Sequence, residues 1–284
     1  MKPQINTGKV ILAAAGPGDP ELVTVKTAKY LQLADIVLAD RLVSEQMLNT
    51  YASQHAEIIY VGKQCRRGIS TPQQTINELM IAHAAKGKLV VRLKGGDVSI
   101  FSNILDELES LVQNNIPYEI VPGVTAALGA AGYAGIPLTA RGYATGVRFL
   151  TYYKTDVISE NYWKELAATD DTLVFYMSSE TLPLLVEKFT KHQIDSSKLL
   201  AIVEQATTPM QQVHTCSLYE YDATLKDTVL LSPTLIIIGK VVALHQQFSW
   251  LKNGLSKEYY FKPLTAKVSD ISENNKAKKH VSRA

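Results

Sequence analysis

Short apolar runs alternate with segments of helical periodicity through the first half of the chain. Continuous apolar runs are typical of buried strands, whereas apolar residues spaced three or four apart are typical of helices that bury one face. The strands predicted in this way are Val10–Ala15, Ile36–Leu38, Ile58–Val61, Leu89–Leu93 and Tyr118–Val121. Because helical segments separate them, the pattern predicts a parallel sheet of the α/β class.

Capping signals mark several of the predicted helices. Asp19 before Pro20 predicts the start of the first helix, because Asp is a good N-cap and Pro suits the first turn. Thr71–Gln74 predicts a capping box for a later helix, and Gly87 predicts the end of that helix. An alanine-rich helix is predicted over Thr125–Ala134.

A second α/β segment follows a predicted hinge at Ile136–Gly142. Its predicted strands are Val147–Thr151, Thr172–Tyr176, Leu199–Val203, Gln211–Thr215 and Leu235–Ile238, with helices near 161–167 and 180–189. From Trp250 the periodicity is lost and the chain becomes polar, which predicts a disordered tail. We therefore expect two α/β domains, residues 1–137 and 138–255, and a polar tail over residues 256–284.

Composition and charge narrow the functional classes. The formal charge of the 284-residue chain is +2, which predicts no extended nucleic-acid surface. Cys65 and Cys216 lie far apart and the histidines are scattered, so neither a disulfide framework nor a metal site is expected. The sequence shows no signal peptide and no apolar stretch of the ~20 residues that span a membrane. These features predict a cytoplasmic protein with no metal and no membrane.

Glycine-rich loops follow three of the predicted strands, at Gly16–Pro20, Lys94–Asp97 and Pro122–Ala126. Glycine lets the backbone approach a ligand closely, and open α/β sheets bind ligands at the carboxyl ends of their strands. A scaffold alone does not need three such loops, so the pattern favours a small-molecule site over ordinary turns. A dinucleotide site is a further alternative, but its G-x-G-x-x-G fingerprint fails at Glu21.

Two charged residues follow other predicted strands directly. Asp40 comes after Ile36–Leu38, and Lys63 comes after Ile58–Val61. Because the carboxyl ends of parallel strands share one edge, both side chains are expected to face a common crevice. The alternative is two solvated loop charges.

Taken together, these segments resemble the uroporphyrinogen-III C-methyltransferases of the tetrapyrrole methylase family. The matching segments are Gly16–Leu22, Ala39–Ser44, Val61–Lys63, Val91–Asp97, Val121–Ala126, Tyr133–Thr139 and Leu173–Met177. The resemblance covers roughly Gly8 to Leu251. The segment Asp40–Ser44 together with Gly62 and Lys63 points to this activity within the wider family.

The resemblance implies two α/β domains with S-adenosylmethionine in the cleft between them. It further implies methylation of two pyrrole carbons of uroporphyrinogen III, C2 and C7, giving precorrin-2 and S-adenosylhomocysteine. Precorrin-2 feeds sirohaem and cobalamin synthesis, and a homodimer is expected because relatives are homodimers. Methyl transfer alone is expected, since the chain lacks the oxidase and ferrochelatase portion that some relatives carry.

The resemblance also assigns residue roles. It implies cofactor contacts at Pro17, Gly95, Gly96, Asp97, Ile100, Thr125, Ala126, Met177 and Ala206. It implies Asp40 as proton acceptor and Lys63 as proton donor. The substrate carries eight carboxylates, which suit arginine and lysine on loops. The expected substrate contacts are Arg41, Arg66, Arg67, Lys94, Thr139 and Arg141, and solvated surface charges are the alternative.

Several segments depart from the family pattern. Val98–Leu105 lacks an arginine and several glycines, Tyr152 and Tyr153 replace glycine and histidine, and Ala206 replaces glycine. Most of these differences lie on the expected substrate side, and three alternatives stay open. They are a methyltransferase acting at another tetrapyrrole position, a non-catalytic tetrapyrrole-binding protein and, more distantly, a nicotinamide-dependent dehydrogenase.

Overall fold

Most strands of the computed structural model form two separate five-stranded sheets, and two short strands pair in a third sheet. The structure describes residues 8–64 and 69–261. One sheet belongs to a unit that runs up to Thr125, and the other belongs to a unit from Ala126 to Tyr260. The α/β class with two sheets, predicted from the sequence, is confirmed.

The first unit alternates strands and helices. Its strands are β1 (Lys9–Ala14), β2 (Ile36–Ala39), β3 (Glu57–Tyr60), β4 (Lys63–Gln64), β5 (Ile69–Ser70), β6 (Leu89–Lys94) and β7 (Tyr118–Val121). Its helices are α1 (Val25–Leu33), α2 (Glu45–Tyr51), α3 (Gln73–Ala84) and α4 (Ile104–Gln113). The main sheet has the order β3-β2-β6-β1-β7 and is parallel throughout, so all five strands end at the same edge.

Both faces of this sheet are covered by helices. Along β1, Ile11 and Ala13 face the side of α1 and α2, whereas Val10 and Leu12 face the side of α3 and α4. All four side chains are fully buried. Burial on both faces explains why the strand is a continuous apolar run rather than an alternating one.

The second unit has a mixed sheet. Its strands are β8 (Val147–Thr151), β9 (Thr172–Tyr176), β10 (Leu199–Glu204), β11 (Gln212–Ser217) and β12 (Thr234–Gly239). Its helices are α5 (Ala126–Ala134), α6 (Glu160–Ala168), α7 (Leu182–Lys191), α8 (Tyr221–Thr224) and α9 (His245–Phe248). The order is β11-β10-β12-β9-β8, in which β8 and β9 are parallel and the other pairs are antiparallel.

An aromatic cluster forms part of the core of the second unit. Trp163 on α6 makes edge-to-face contacts with Tyr152 and Phe189, at centroid distances of 5.1 and 5.7 Å. Phe175 on β9 packs against Phe189 at 6.1 Å. These rings hold α6 and α7 on one face of the sheet.

The first helix begins later than its sequence signals predict. Asp19 caps only a single 3-10 turn, Pro20–Leu22, by accepting a hydrogen bond from the backbone of Glu21. The helix itself begins at Val25, with Thr24 as its N-cap. The prediction of a helix starting at Pro20 is therefore wrong, because the hydroxyl of Thr24 provides the effective cap.

The predicted capping box at Thr71 is also wrong. Helix α3 begins at Gln73, and Pro72 in an extended conformation precedes it with no side-chain cap. The backbone N–H of Thr71 instead donates to the carbonyl of Gly62. This hydrogen bond holds Thr71 beside the chain that follows β3, before helix α3 begins.

Two boundaries of the second unit differ from those expected. Helix α5 belongs to this unit, although the sequence analysis placed it before the hinge. Residues 256–260, placed in the polar tail, also belong to it, and Glu258 and Tyr260 are hydrogen-bonded to Gln205. The rest of the predicted tail lies outside the described residues.

Candidate functional site

The loops after β1 and β6 are joined by a pair of backbone hydrogen bonds. The N–H of Gly16 donates to the carbonyl of Gly96 at 3.1 Å, and the N–H of Gly96 donates to the carbonyl of Gly16 at 2.7 Å. Both residues have left-handed backbones, with φ of +80° and +69°. Such angles favour glycine, so this pairing explains why both loops carry one.

Asp97 joins the loop after β6 to the loop after β7. Its carboxylate accepts hydrogen bonds from the backbone and hydroxyl of Ser99, and from the backbone N–H of Gly123 at 2.8 Å. Burial alone raises the pKa of Asp97, but the hydrogen bonds from Ser99, Gly123 and Val98 outweigh it and hold the pKa below its ordinary value. Asp97 is therefore an ionised, buried link between two loops.

Packing of the chain against itself accounts for two more glycines. A Cβ on Gly95 would lie 2.6 Å from the Cβ of Leu42, and one on Gly123 would lie 2.6 Å from the Cβ of Ala14. These positions exclude any side chain without help from a ligand. The inference that a scaffold does not need such loops is therefore too strong, although the loops do meet at one sheet edge.

The remaining predicted cofactor residues of the first unit lie around these loops. Pro17 is buried directly after Gly16, and Thr125 is 7% exposed. Ile100, in the loop after β6, is partly buried. The structure thus brings the predicted residues of this unit to the linked loops.

Asp40 follows β2 and lies beside the loop after β3. Its Oδ1 accepts a hydrogen bond from the N–H of Arg41 at 2.8 Å. A Cβ on Gly62 would lie 3.3 Å from that oxygen, so the carboxylate is next to the chain that leads into Lys63. The backbone of Lys63 begins β4, while Arg66 and Arg67 lie outside the described residues. The Asp40 carboxylate thus lies beside the chain that leads into Lys63, and a crevice shared by the two side chains stays a prediction.

A buried cluster of three charges lies behind these loops. Glu107 on α4 is fully buried, and its oxygens accept from Arg92 Nε at 2.9 Å and from Lys94 Nζ at 2.8 Å. Arg92 also donates to the carbonyls of Leu38 and Leu93. The cluster ties α4 to the ends of β2 and β6, directly before Asp40 and Gly95.

The expectation that Lys94 contacts substrate does not fit this arrangement. Its side chain is 4% exposed and its ammonium is bound to Glu107. Burial lowers the pKa of Lys94 below its ordinary value, although Glu107 opposes the shift. Lys94 therefore faces the interior, because Glu107 offers a buried carboxylate within its reach.

Glu107 is a residue that the sequence analysis missed. It lies three residues after Ile104 and four before Leu111, so it belongs to the apolar stripe of α4. An acidic residue on such a stripe is a signal for a buried ion pair. Its partners on β6 are separated by one residue, which places Arg92 and Lys94 on the same face of the sheet.

In the second unit, two predicted cofactor residues follow strands that run in the same direction. Met177 comes directly after β9 and Ala206 follows Gln205 at the end of β10. Both strands are antiparallel to β12, so they end at the same edge of the sheet. Met177 has a φ of +53° and is 51% exposed, and the Tyr153 hydroxyl lies 3.0 Å from its sulfur.

Left-handed backbone also flanks Ala206. Gln205 has a φ of +47° and Thr207 a φ of +65°, whereas the φ of Ala206 is not positive. Alanine therefore replaces the family's glycine here without backbone strain. A β-branched residue such as Thr207 rarely adopts this conformation, and such residues cluster at ligand clamps.

The other predicted residues of the second unit take several positions. Ala126 begins α5, and the next residue, Ala127, donates its N–H to the hydroxyl of Tyr176. Thr139 and Arg141 are exposed on a turn closed by a bridge between Ala140 and Ala144. The turn presents both side chains to solvent.

The two tyrosines that depart from the family pattern have different surroundings. Tyr152 is buried against Trp163, and its N–H donates to the hydroxyl of Ser178. Tyr153 is 41% exposed beside Met177. The first tyrosine therefore contributes to the core, and the second lies at the sheet edge that carries Met177.

The described residues form neither a metal-binding cluster nor a membrane-spanning helix. No three His, Cys, Asp or Glu side chains of residues 8–64 and 69–261 converge on a point that would hold a metal ion. Among the same residues, every helix is too short or too polar to cross a bilayer.

Comparison with known proteins gives consistent relatives. Residues 9–222 match the family described as Tetrapyrrole (Corrin/Porphyrin) Methylases. A siroheme synthase of Pseudomonas fluorescens is 42% identical over 248 residues, which are 87% of this chain and 53% of that protein. The chain thus spans about half the length of the curated relatives it matches.

Solved structures share the fold. A uroporphyrin-III C-methyltransferase of Thermus thermophilus, complexed with S-adenyl homocysteine, has a TM-score of 0.69 and 34% identity over 84% of this chain and 100% of that chain. A cobalt precorrin-4 methyltransferase has a TM-score of 0.73 and 26% identity over 82% of this chain and 95% of that chain.

Proposed function

The chain belongs to the tetrapyrrole methylase family, and from this premise we propose that it methylates uroporphyrinogen III with S-adenosylmethionine as donor. The proposed products are precorrin-2, methylated at C2 and C7, and two molecules of S-adenosylhomocysteine. The observation that carries the proposal is the mutual linkage of the three loops at one sheet edge, through Gly16, Gly96, Asp97 and Gly123. The 42% identity to a siroheme synthase supports this substrate over others in the family.

The residues at both sheet edges fit the proposed cofactor. In the first unit the left-handed glycines Gly16 and Gly96 hold two loops together. In the second unit Met177, Gln205 and Thr207 have the strained backbone that is typical of ligand clamps. Proposed cofactor contacts are Pro17, Gly95, Gly96, Asp97, Ile100, Thr125, Ala126, Met177 and Ala206.

The protein's main contribution in this reaction is positioning. When bound, S-adenosylmethionine supplies an electrophilic methyl group for in-line displacement by an electron-rich pyrrole carbon. Correct placement of two reactants lowers the barrier by ~7–11 kcal/mol, so neither a metal nor a covalent nucleophile is required. Rigid loops tied by Gly16–Gly96 and Asp97–Gly123 are suited to that task.

Asp40 is the proposed proton acceptor. The methylated ring must lose a proton as its conjugated system rearranges, and a carboxylate at the loop after β2 can accept it. The hydrogen bond from the Arg41 N–H fixes the orientation of the carboxylate. Lys63, whose backbone follows Gly62 beside Asp40, is the proposed donor.

Substrate recognition is proposed to rest on side chains that are at least partly exposed to solvent. Arg41 is partly exposed and Arg141 is exposed, so both are suited to the substrate's carboxylates, together with the exposed hydroxyl of Thr139. Arg66 and Arg67 stay proposed contacts from the sequence. Lys94 is left out because Glu107 binds it inside the fold.

The wider context follows from the same proposal. Precorrin-2 made by this chain would feed sirohaem and cobalamin synthesis in the cytoplasm, and the chain is proposed to act as a homodimer. Methyl transfer at another tetrapyrrole position is the second candidate, favoured by the 0.73 TM-score to the cobalt precorrin-4 methyltransferase.

A turnover assay tests the proposal against its alternatives. The purified chain, uroporphyrinogen III and S-adenosylmethionine are mixed, and S-adenosylhomocysteine released per tetrapyrrole consumed is measured. A ratio of two with a mass gain of two methyl groups supports the proposal. Tight tetrapyrrole binding without S-adenosylhomocysteine release would instead indicate a carrier, and binding of a nicotinamide cofactor in preference to S-adenosylhomocysteine would indicate a dehydrogenase.

A further inference from the structure

A segment near the end of the second unit lies across the loop that carries Ala206. We call Asn253–Tyr260 the strap, and Gln205–Gln211, which joins β10 to β11, the β10 loop. The strap lies beyond residues 9–222, which match the family. Hydrogen bonds join the two segments at both ends and in the middle.

One end of the strap is fixed to the start of β11, an edge strand. The carboxamide of Asn253 accepts from the N–H of Val213 at 2.8 Å and donates to the carbonyl of Val213 at 3.2 Å. The N–H of Gly254 donates to the carbonyl of Gln211 at 2.8 Å, and the side chain of Gln212 donates to the carbonyl of Gly254 at 2.7 Å. These bonds occupy the outer edge of β11 where it leaves the β10 loop.

The other end is fixed by the side chain of Gln205. Its Nε2 donates to the carbonyl of Glu258 at 2.8 Å, and its Oε1 accepts from the N–H of Tyr260 at 2.7 Å. Gln205 is 1% exposed, so a buried carboxamide uses both its donor and its acceptor on the strap backbone. A buried amide left without these partners would be strongly unfavourable, which makes the contact specific.

The strap comes so close to the β10 loop that one position tolerates no side chain. A Cβ on Gly254 would lie 2.6 Å from the carbonyl oxygen of Pro209 and 3.1 Å from the Cα of Met210. In the same stretch the hydroxyl of Ser256 lies 3.1 Å from the sulfur of Met210. The strap and the loop therefore pack backbone against backbone.

The β10 loop is in a conformation that needs support. Gln205 and Thr207 both have left-handed backbones, which are unfavourable for their residue types. Within the loop, the side chain of Gln211 accepts the N–H of Thr207 at 2.8 Å. Strained backbone persists only where its surroundings over-determine it, and the strap supplies much of that surrounding structure.

We propose that the strap holds the β10 loop in the form that receives S-adenosylmethionine, with Gln205 as a positioning residue through its contacts to Glu258 and Tyr260. The inference rests on the proposed function, because that function assigns the loop to the cofactor. A loop that populates the competent form only fractionally binds with an affinity reduced by that fraction. The strap thus sets the affinity for the cofactor through the β10 loop.

Two variants and a matched control test this role. Gln205→Leu removes both contacts at similar side-chain size, and Gly254→Ala pushes the strap off the loop while leaving every buried side chain unchanged. Gln247→Leu makes the same chemical change on the exposed face of α9. The measurements are calorimetric titration with S-adenosylhomocysteine, thermal unfolding without ligand, and amide hydrogen exchange in the β10 loop.

The proposal predicts faster exchange in the β10 loop and a Kd for S-adenosylhomocysteine about tenfold higher in both variants, as for a loop competent about a tenth of the time. The control keeps the parent's Kd. KM for S-adenosylmethionine rises in the same variants, while kcat at saturating donor stays near that of the parent. If Gln205→Leu fails to fold, Gly254→Ala gives the same readouts.

A lower Tm with an unchanged Kd in the variants would overturn the proposal, because the strap would then be structural only. Unchanged hydrogen exchange in the β10 loop would also overturn it. Failure of the proposed cofactor assignment, on which the inference rests, is distinguishable, since the parent itself would then not bind S-adenosylhomocysteine.

Discussion

The carboxylate of Asp97 accepts the backbone N–H of Gly123 at 2.8 Å and thereby joins two loops that follow different strands of one sheet. Because β6 and β7 lie on either side of β1, this bond joins the loops of two strands that are not neighbours in the sheet. A single buried carboxylate therefore fixes the relative positions of neighbouring loops. This relationship gives the ionised acid a structural purpose that its place in a sequence motif does not reveal.

Replacing this carboxylate is expected to loosen the loops. In Asp97→Asn, one oxygen becomes an NH₂ group that faces an N–H donor, so an acceptor is lost. The expected cost is ~1–3 kcal/mol in the free energy of unfolding by urea, with weaker S-adenosylhomocysteine binding. Asp227→Asn on an exposed turn is the control, and equal losses in the two variants would contradict the assigned role.

The same residue predicts a pH dependence with a defined sign. The folded protein holds the pKa of Asp97 below its ordinary 3.8, so the stabilisation is complete above that value. It is lost as the pH falls through the folded-state pKa. The free energy of unfolding of the parent should therefore fall more steeply below pH 3.8 than that of Asp97→Asn, and parallel curves would exclude this effect.

Removing the buried anion of the charge cluster should be costly. Glu107→Gln leaves Arg92 and Lys94 without a carboxylate in the interior, and breaking a buried pair in this way costs ~3–5 kcal/mol. The measurement is the free energy of unfolding in urea. Glu109→Gln on the exposed side of the same helix is the control and should have little effect. An equally small effect for Glu107→Gln would show that the cluster does not stabilise the fold.

A second carboxylate, at the edge of the first sheet, predicts acid sensitivity at the surface. Lys26, Lys9 and the Tyr30 hydroxyl lower the pKa of Glu119 to about 2, from its ordinary 4.5. Its stabilisation is present above pH 4.5 and is lost as the pH falls towards 2. Solvent screens the ion pairs of Glu119 with Lys9 and Lys26. At neutral pH the free energy of unfolding of the parent should therefore exceed that of Glu119→Gln by only ~0.2–1 kcal/mol. A difference in the free energy of unfolding between the parent and Glu119→Gln that stays constant down to pH 2 would contradict the lowered pKa of Glu119.

Asp40→Asn tests the proposed proton acceptor. An asparagine oxygen can still accept the N–H of Arg41 but does not act as a base, so geometry is kept and the chemistry is removed. Turnover should fall by ~10²–10⁴-fold, the usual range for loss of a general base. S-adenosylhomocysteine binding should stay at the parent's level by calorimetry. Turnover equal to that of the parent would exclude Asp40 from the mechanism.

The sequence alone predicts the first unit well because its three central strands, β1, β2 and β6, are buried on both faces. The continuous apolar run of β1 and its equivalents leaves little ambiguity about a parallel sheet. Helix starts are predicted less well. Thr24 competes successfully with Asp19 as a cap, and Thr71 makes a hydrogen bond to Gly62 that no local signal reveals.

The sequence likewise predicts only part of the candidate site. Loops at strand ends are predictable from glycine and chain order, so Asp40 and Gly96 lie at the expected edge. The direction of a long side chain is not, because it depends on partners distant in sequence. Lys94 is drawn inward by Glu107, and Gln205 is held by Glu258 and Tyr260, which composition assigned to a tail.

Methyl transfer to two defined carbons is the central claim, and product structure tests it most directly. The chain is incubated with uroporphyrinogen III and S-adenosylmethionine carrying a ¹³C-labelled methyl group, with Asp40→Asn in parallel, and the tetrapyrrole is analysed by NMR. The account predicts two labelled methyl groups, at C2 and C7. Labelled methyl groups at any other ring position, or an unlabelled tetrapyrrole recovered from the parent protein, would contradict it.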